Sequence, residues 1–163
     1  MSFRGSALRV EFINPFITSA TEVLQSEVDS IPKRGALSLE PKPFTTQDVT
    51  ALIAVTGNIH GAVFYCMSEK TALNLVSVML GKRYLIFDDL AKSGIAELGN
   101  VITGRASILL ADAGYPSKIA PPVMLVGRGT MISTLKIPRL VVPLETEHGV
   151  VEVHVALKEA RSL

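Results

Sequence analysis

The sequence predicts an α+β fold, a β-sheet packed with two long helices and a shorter one. Three observations carry this. A long stretch near residues 89–113 has helical periodicity, two apolar runs flank a Gly57-Asn58 pair, and a weak repeat relates the two halves. Leu52-Ile-Ala-Val with His60-Gly61-Ala-Val aligns without gaps to Leu140-Val-Val-Pro with His148-Gly149-Val-Val, at an offset of 88 residues. Each half then reads as a helix followed by a hairpin, an α-β-β duplication.

Taken in order, the first element is a helix over about residues 11–29, with Pro15 in its first turn after Asn14, where a missing N–H costs little. Phe16, Ala20, Val23 and Leu24 follow with helical spacing. Residues 32–47 read as a loop holding one short strand, Ala36 to Glu40. Val49–Thr56 and His60–Met67 are strands, because Gly57-Asn58 between them is a strong hairpin signal. Ser68 caps a helix running through Leu80 and closed by Gly81. Asp88 and Asp89 open the long helix, which continues to about Ala113 and stops at Gly114. After Pro121-Pro122 come strands near 123–127, 131–142 and 149–157.

Composition bounds the function classes. The 163 residues suit one domain with a substantial core. A formal charge of +1 without a basic block argues against charge-driven binding to nucleic acid or anionic membrane. One cysteine gives no internal disulfide framework, as expected in a reducing compartment. No stretch of about 18 apolar residues could span a bilayer, and Met-Ser-Phe-Arg-Gly-Ser is not a signal segment. The expectation is a soluble, cytoplasmic protein.

Chemistry concentrates in the long helix. Glu97 and Asn100, three residues apart, share one helix face. The same stripe carries Ser93, Gly104, Ser107 and Ala111, whereas Ile95, Leu98, Ile102, Ala106 and Leu109 fall on the other side. An acid and an amide thus stand on a lane of small residues that a partner could approach closely. An amide can accept from and donate to one water molecule and so fix its position. Such positioning is most of what phosphoryl transfer asks of a protein. Glu97 suits the docking of a cationic partner group better than proton abstraction, because an exposed carboxylate is a weak base near neutrality. Set against this, Glu-x-x-Asn occurs by chance on many solvated helix faces.

Other candidates are weaker. Gly127-Arg-Gly129 begins like a dinucleotide fingerprint but lacks the third glycine and the strand-to-helix context, so it reads as a strand connection. His60, His148 and His154 lack metal-site spacing and read as surface or strand residues. Cys66, in an apolar run, reads as a buried small hydrophobe. Asp112 reads as a solvated helix end, and Glu22-x-x-Gln25 as helix surface outside the repeat register. In that register Glu97 and Asn100 correspond to Arg9 and Phe12, so one site per chain is expected.

The run Gly94-Ile-Ala-Glu97-Leu-Gly-Asn100-Val-Ile-Thr-Gly104-Arg-Ala, then Ile119-Ala-Pro121-Pro122-Val and Gly127-Arg128, resembles the CheX branch of the CheC/CheX/FliY family. These are phosphatases of the phosphorylated chemotaxis regulator CheY. Phe12-Ile-Asn-Pro-Phe16-Ile and Val55-Thr-Gly57-Asn-Ile-His-Gly61-Ala-Val are similar to their counterparts there, so the likeness extends over about residues 10–157. The resemblance implies a single CheC/CheX-like domain over 1–163 and hydrolysis of the acyl phosphate on a CheY-like receiver. It makes Glu97 and Asn100 the catalytic pair, Asn100 orienting water and Glu97 engaging a receiver lysine. Ser93, Gly104 and Ser107 become partner-binding residues. It places Mg²⁺ on the response-regulator partner, with no cofactor or metal on this chain, and implies a homodimer formed through the β-sheets. Members of the CheC branch carry two motifs; one motif here points to the CheX branch. The alternative is a non-catalytic dimeric module that sequesters a phosphorylated receiver or another signalling protein.

Overall fold

The computed structural model describes residues 10–134 and 137–160. Helix α1 (Val10–Val28) is followed by three short strands, β1 (Lys33–Arg34), β2 (Ser38–Glu40) and β3 (Phe44–Thr45). A hairpin of β4 (Val49–Gly57) and β5 (Ile59–Met67) leads into α2 (Glu69–Leu80) and α3 (Asp89–Asp112). The chain closes with β6 (Ser117–Ile119), β7 (Val123–Val126), β8 (Met131–Ile132), β9 (Arg139–Thr146) and β10 (Gly149–Glu159).

The main sheet is antiparallel, in the order β1-β9-β10-β5-β4-β6, with β2 also on β9 and β7 also on β4. Its centre is the pairing of β5 with β10, from Cys66 opposite Glu152 to Ile59 opposite Glu159. The hairpins β4–β5 and β9–β10 therefore flank a common seam, and the long helices α1 and α3 pack against each other. That is the α-β-β arrangement twice over, as the 88-residue offset implies, with α2 inserted between the halves.

Alternation along the strands builds the core. Ala51, Ile53 and Val55 of β4, Val63, Tyr65 and Met67 of β5, Val142 and Leu144 of β9, and Val151, Val153 and Val155 of β10 are all buried in one cluster with the helices. The expected caps are in place. Ser68 accepts from the Thr71 amide, Gly81 ends α2 at φ 68°, and Asp88 accepts from the Ala91 amide.

Four expectations need correction. Pro15 lies in the second turn of α1, because the helix is already formed at Val10; buried Phe12, Ile13 and Phe16 anchor it on both sides of the proline. The 32–47 stretch holds three two- or three-residue strands, each defined by its partner more than by its own pattern. The expected strand over 131–142 is two elements. Met131–Ile132 pairs with Phe44–Thr45 in a separate small sheet, while β9 begins at Arg139, just after Pro138, which has no N–H to donate. Ser117–Ile119 is a strand that three residues after Pro116 were too few to reveal.

Candidate active site

Helix α3 presents one ridge to the core and another to the outside. Ala91, Ile95, Leu98, Ile102, Ala106 and Leu110 are buried; Leu109, expected on that side, is exposed, and Leu110 takes its place. The correction follows from 3.6 residues per turn, which rotates the apolar stripe by one position over the helix length.

The core side is pinned at one level. Gly99 faces the ring of Tyr65 so closely that a Cβ there would lie 3.1 Å from Tyr65 Cδ2 and 3.5 Å from Ala51 Cβ. One turn on, Thr103 Oγ1 donates to the Gly99 carbonyl at 2.7 Å and sits 2.8 Å from the Tyr65 hydroxyl. Asn100 is the next residue after Gly99, so the contact that sets the depth of α3 also sets the height of its outer face.

On that outer face Glu97 is exposed and Asn100 half-buried, about 4.5 Å apart along the axis. Neither side chain has a hydrogen-bond or ion-pair partner among the described residues. Nearby cations are otherwise engaged, Arg105 with Glu22 at 3.8 Å and Lys92 with Asp89 at 3.6 Å. Ser93 is exposed on the same ridge, and Ser107 donates to the Gly104 carbonyl at 2.7 Å. A Cβ on Gly104 would meet nothing within 4 Å. Packing within the chain therefore does not ask for glycine there, although glycine in a helix interior costs about 1 kcal/mol relative to alanine.

The remaining candidates lie elsewhere. Arg128, between β7 and β8, pairs with Asp48, and that partner holds the Asp48 carboxyl below its usual range, helped by the Glu69 amide. Cys66 is buried, which pushes its thiol up to about 12. Asp112 is the exposed last residue of α3, and Glu22 and Gln25 are exposed on α1. Phe12, the repeat counterpart of Asn100, is buried; Arg9 lies outside the described residues. His60 and His148 are half-buried, and His148 Nε2 lies 3.1 Å from the Val28 carbonyl.

His154 is a strand residue of β10, as expected. It is buried on the sheet face away from the helices, stacked on Phe44 at 4.7 Å between centroids. Arg139 Nε donates to its Nδ1 at 3.3 Å, so the ring proton sits on Nε2, which points to Glu152 Oε1 3.6 Å away. Gln47 donates to the same carboxylate at 2.9 Å. Nothing in the sequence gathers these five side chains; strand pairing does.

Chemically, the α3 ridge can hold a water and grip a cation. Among the described residues no cluster of three His, Cys, Asp or Glu could hold a metal. The family model for the chemotaxis phosphatase CheX matches residues 49–145. The chain belongs to the CheX family. The CheY-P phosphatase CheX of Thermotoga maritima is 34% identical over 131 residues, covering 77% of this chain and 84% of that protein. A CheX crystal structure from Desulfovibrio desulfuricans superposes with a TM-score of 0.82 at 27% identity, covering 92% of this chain and all (100%) of that one. The CheX–CheY–BeF₃–Mg²⁺ complex from Borrelia burgdorferi matches at a TM-score of 0.77 and 28% identity, covering 93% and 100%. In CheX terms, the matched stretch holds α3 complete, together with the β4–β5 hairpin on which it rests.

Proposed function

We infer that this CheX-family protein hydrolyses the aspartyl phosphate of a CheY-type receiver domain, with residues 1–163 acting as one domain. Water attacks phosphorus, the acyl P–O bond breaks, the aspartate carboxylate leaves and inorganic phosphate departs. Asn100 orients that water through its amide, and Glu97 engages a receiver lysine so that the amide arrives in register. Ser93, Gly104 and Ser107 let the receiver surface come close. The observation that carries this reading is the unpartnered Glu97–Asn100 pair on the outer ridge of α3. Polar groups left free at a rigid, glycine-notched position are available to a partner without first breaking internal bonds.

Beside Glu97 the ridge offers only the neutral Asn100 amide, whereas Mg²⁺ is usually held by carboxylates together with phosphate and water oxygens. The ion is therefore assigned to the receiver side, in line with the composition of the Borrelia complex. A homodimer through strand edges completes the reading. Among the described residues β7 pairs only with β4, and Val123 and Val126 along it are exposed. No helix of the described residues is long and apolar enough to cross a membrane, and the proposed place of action is the cytoplasm, with its substrate.

The test is a decay assay on a phosphorylated CheY-type receiver with substoichiometric protein. Release of several equivalents of phosphate per chain supports the phosphatase. Unchanged or slower decay, with binding intact, identifies a sequestering module instead.

A further inference from the structure

The segment between α2 and α3 is built in two directions. Tyr84 and Phe87 turn inward and pack against the core, and the Tyr84 amide donates to Ser77 Oγ at 2.9 Å. Between them, Leu85 and Ile86 are 71% and 74% exposed. The segment is held in this shape at its far end too, where the Asp88 amide bonds to the Ile86 carbonyl at 2.9 Å and Asp88 caps α3. Two adjacent aliphatic side chains standing in water on a secured loop are not needed for anchoring, which Tyr84 and Phe87 already provide.

They do not stand alone. Leu90, in the first turn of α3, is 53% exposed, and Ile108 is 63% exposed. On a helix projection both fall on the ridge that carries Glu97. Leu90 precedes Glu97 by two turns, about 10 Å along the axis, and Ile108 follows Asn100 by about 12 Å. The polar pair thus lies between Leu90 and Ile108 on one ridge, and Leu85 and Ile86 stand exposed in the segment just before that ridge begins. At that segment, a hollow of about 300 Å³ is lined by Lys82, Arg83, Tyr84, Leu85, Ile86 and Asp88.

We propose that Leu85, Ile86, Leu90 and Ile108 are the apolar docking shoulders for the phosphorylated receiver. This rests on the reading of Glu97–Asn100 as the site of action and is continuous with it along one helix. A ridge from Leu90 to Ile108 is about 27 Å long, the scale of one side of a standard protein interface. Apolar anchors flanking a polar centre supply affinity and exclude water, while the centre supplies the chemistry. Because the shoulders do not touch the reacting atoms, they bind ground state and transition state alike and set KM more than kcat.

The experiment measures binding and turnover separately. A CheY-type receiver loaded with beryllofluoride and Mg²⁺ is titrated against wild type, Leu85→Ser/Ile86→Ser, and Ile108→Ser, with Ile31→Ser as an exposed control on the α1–β1 connection. The double variant should weaken Kd about tenfold and raise KM in parallel, leaving kcat within about twofold. Ile108→Ser should do the same to a smaller degree, and Ile31→Ser nothing. Kd and KM within twofold of wild type for both shoulder variants would overturn the proposal, as would wild-type protein that does not bind the loaded receiver. Shoulder-dependent binding without wild-type turnover would leave the docking surface standing and remove the phosphatase reading.

Discussion

The Tyr65 hydroxyl on β5 lies 2.8 Å from Thr103 Oγ1 on α3, and Thr103 Oγ1 in turn donates to the Gly99 carbonyl at 2.7 Å. A threonine hydroxyl has one proton, so Tyr65 must be the donor to Thr103. The chain of bonds runs from the sheet, through one turn of α3, to the residue beside Asn100. It fixes the rotation of the helix as well as its distance from the sheet.

Tyr65→Phe removes the first donor yet leaves Thr103 satisfied by Gly99. The expected loss is about 1 kcal/mol in urea unfolding, the net worth of one internal hydrogen bond. Turnover should fall modestly, with receiver affinity unchanged.

Gly99→Val puts a branched side chain where even a Cβ would sit 3.1 Å from Tyr65 Cδ2. Overpacking of this kind costs about 1–3 kcal/mol. The helix must lift from the sheet to relieve it, moving Asn100. Phosphate release with saturating receiver should therefore drop more than the melting temperature alone accounts for, which comparison with an equally destabilised core variant such as Ile53→Val/Val63→Ala will show.

Burial pushes the Cys66 thiol up to about 12, so the thiolate that reacts with disulfide reagents is scarce at neutral pH. At pH 8 the native protein should not react with a thiol-specific disulfide probe over minutes, whereas the urea-unfolded chain should react with one equivalent per chain.

The imidazole of His154, then the Gln47 amide, hold the Glu152 carboxyl below its ordinary value of 4.5, against the opposing effect of burial. A carboxyl with a depressed folded pKa stabilises the protein above its unfolded pKa, and that stability is lost as pH falls through the folded value. Urea midpoints should therefore decline below pH 4.5, and Glu152→Gln should flatten this part of the profile.

The helices and the two hairpins were legible because their signals are local. Ser68 and Gly81 bound α2, Asp88 opens α3, and Gly57-Asn58 turns β4 into β5. What escaped depends on distant partners. Met131–Ile132 is a strand only because Phe44–Thr45 lies beside it, and His154 is buried among Phe44, Phe64 and Arg139, which come from three other strands. For the site, spacing put Glu97 and Asn100 on one face but could not distinguish them from ordinary helix surface. Their lack of partners, and the clasp of Gly99 on Tyr65 beneath them, depend on how α3 packs on the sheet. The apolar shoulder at Leu85 and Ile86 was equally hidden, since exposure of a loop residue has no periodic signature.

The proposed role of Asn100 is to hold the attacking water. The most direct measurement is decay of a phosphorylated CheY-type receiver with saturating Asn100→Ala, beside its affinity for the beryllofluoride-loaded receiver. Acceleration should fall by ~10²-fold or more, essentially to the receiver's own rate, while affinity stays within about threefold. Glu97→Ala, by contrast, should weaken both. Wild-type acceleration by Asn100→Ala would rule out water positioning by this amide.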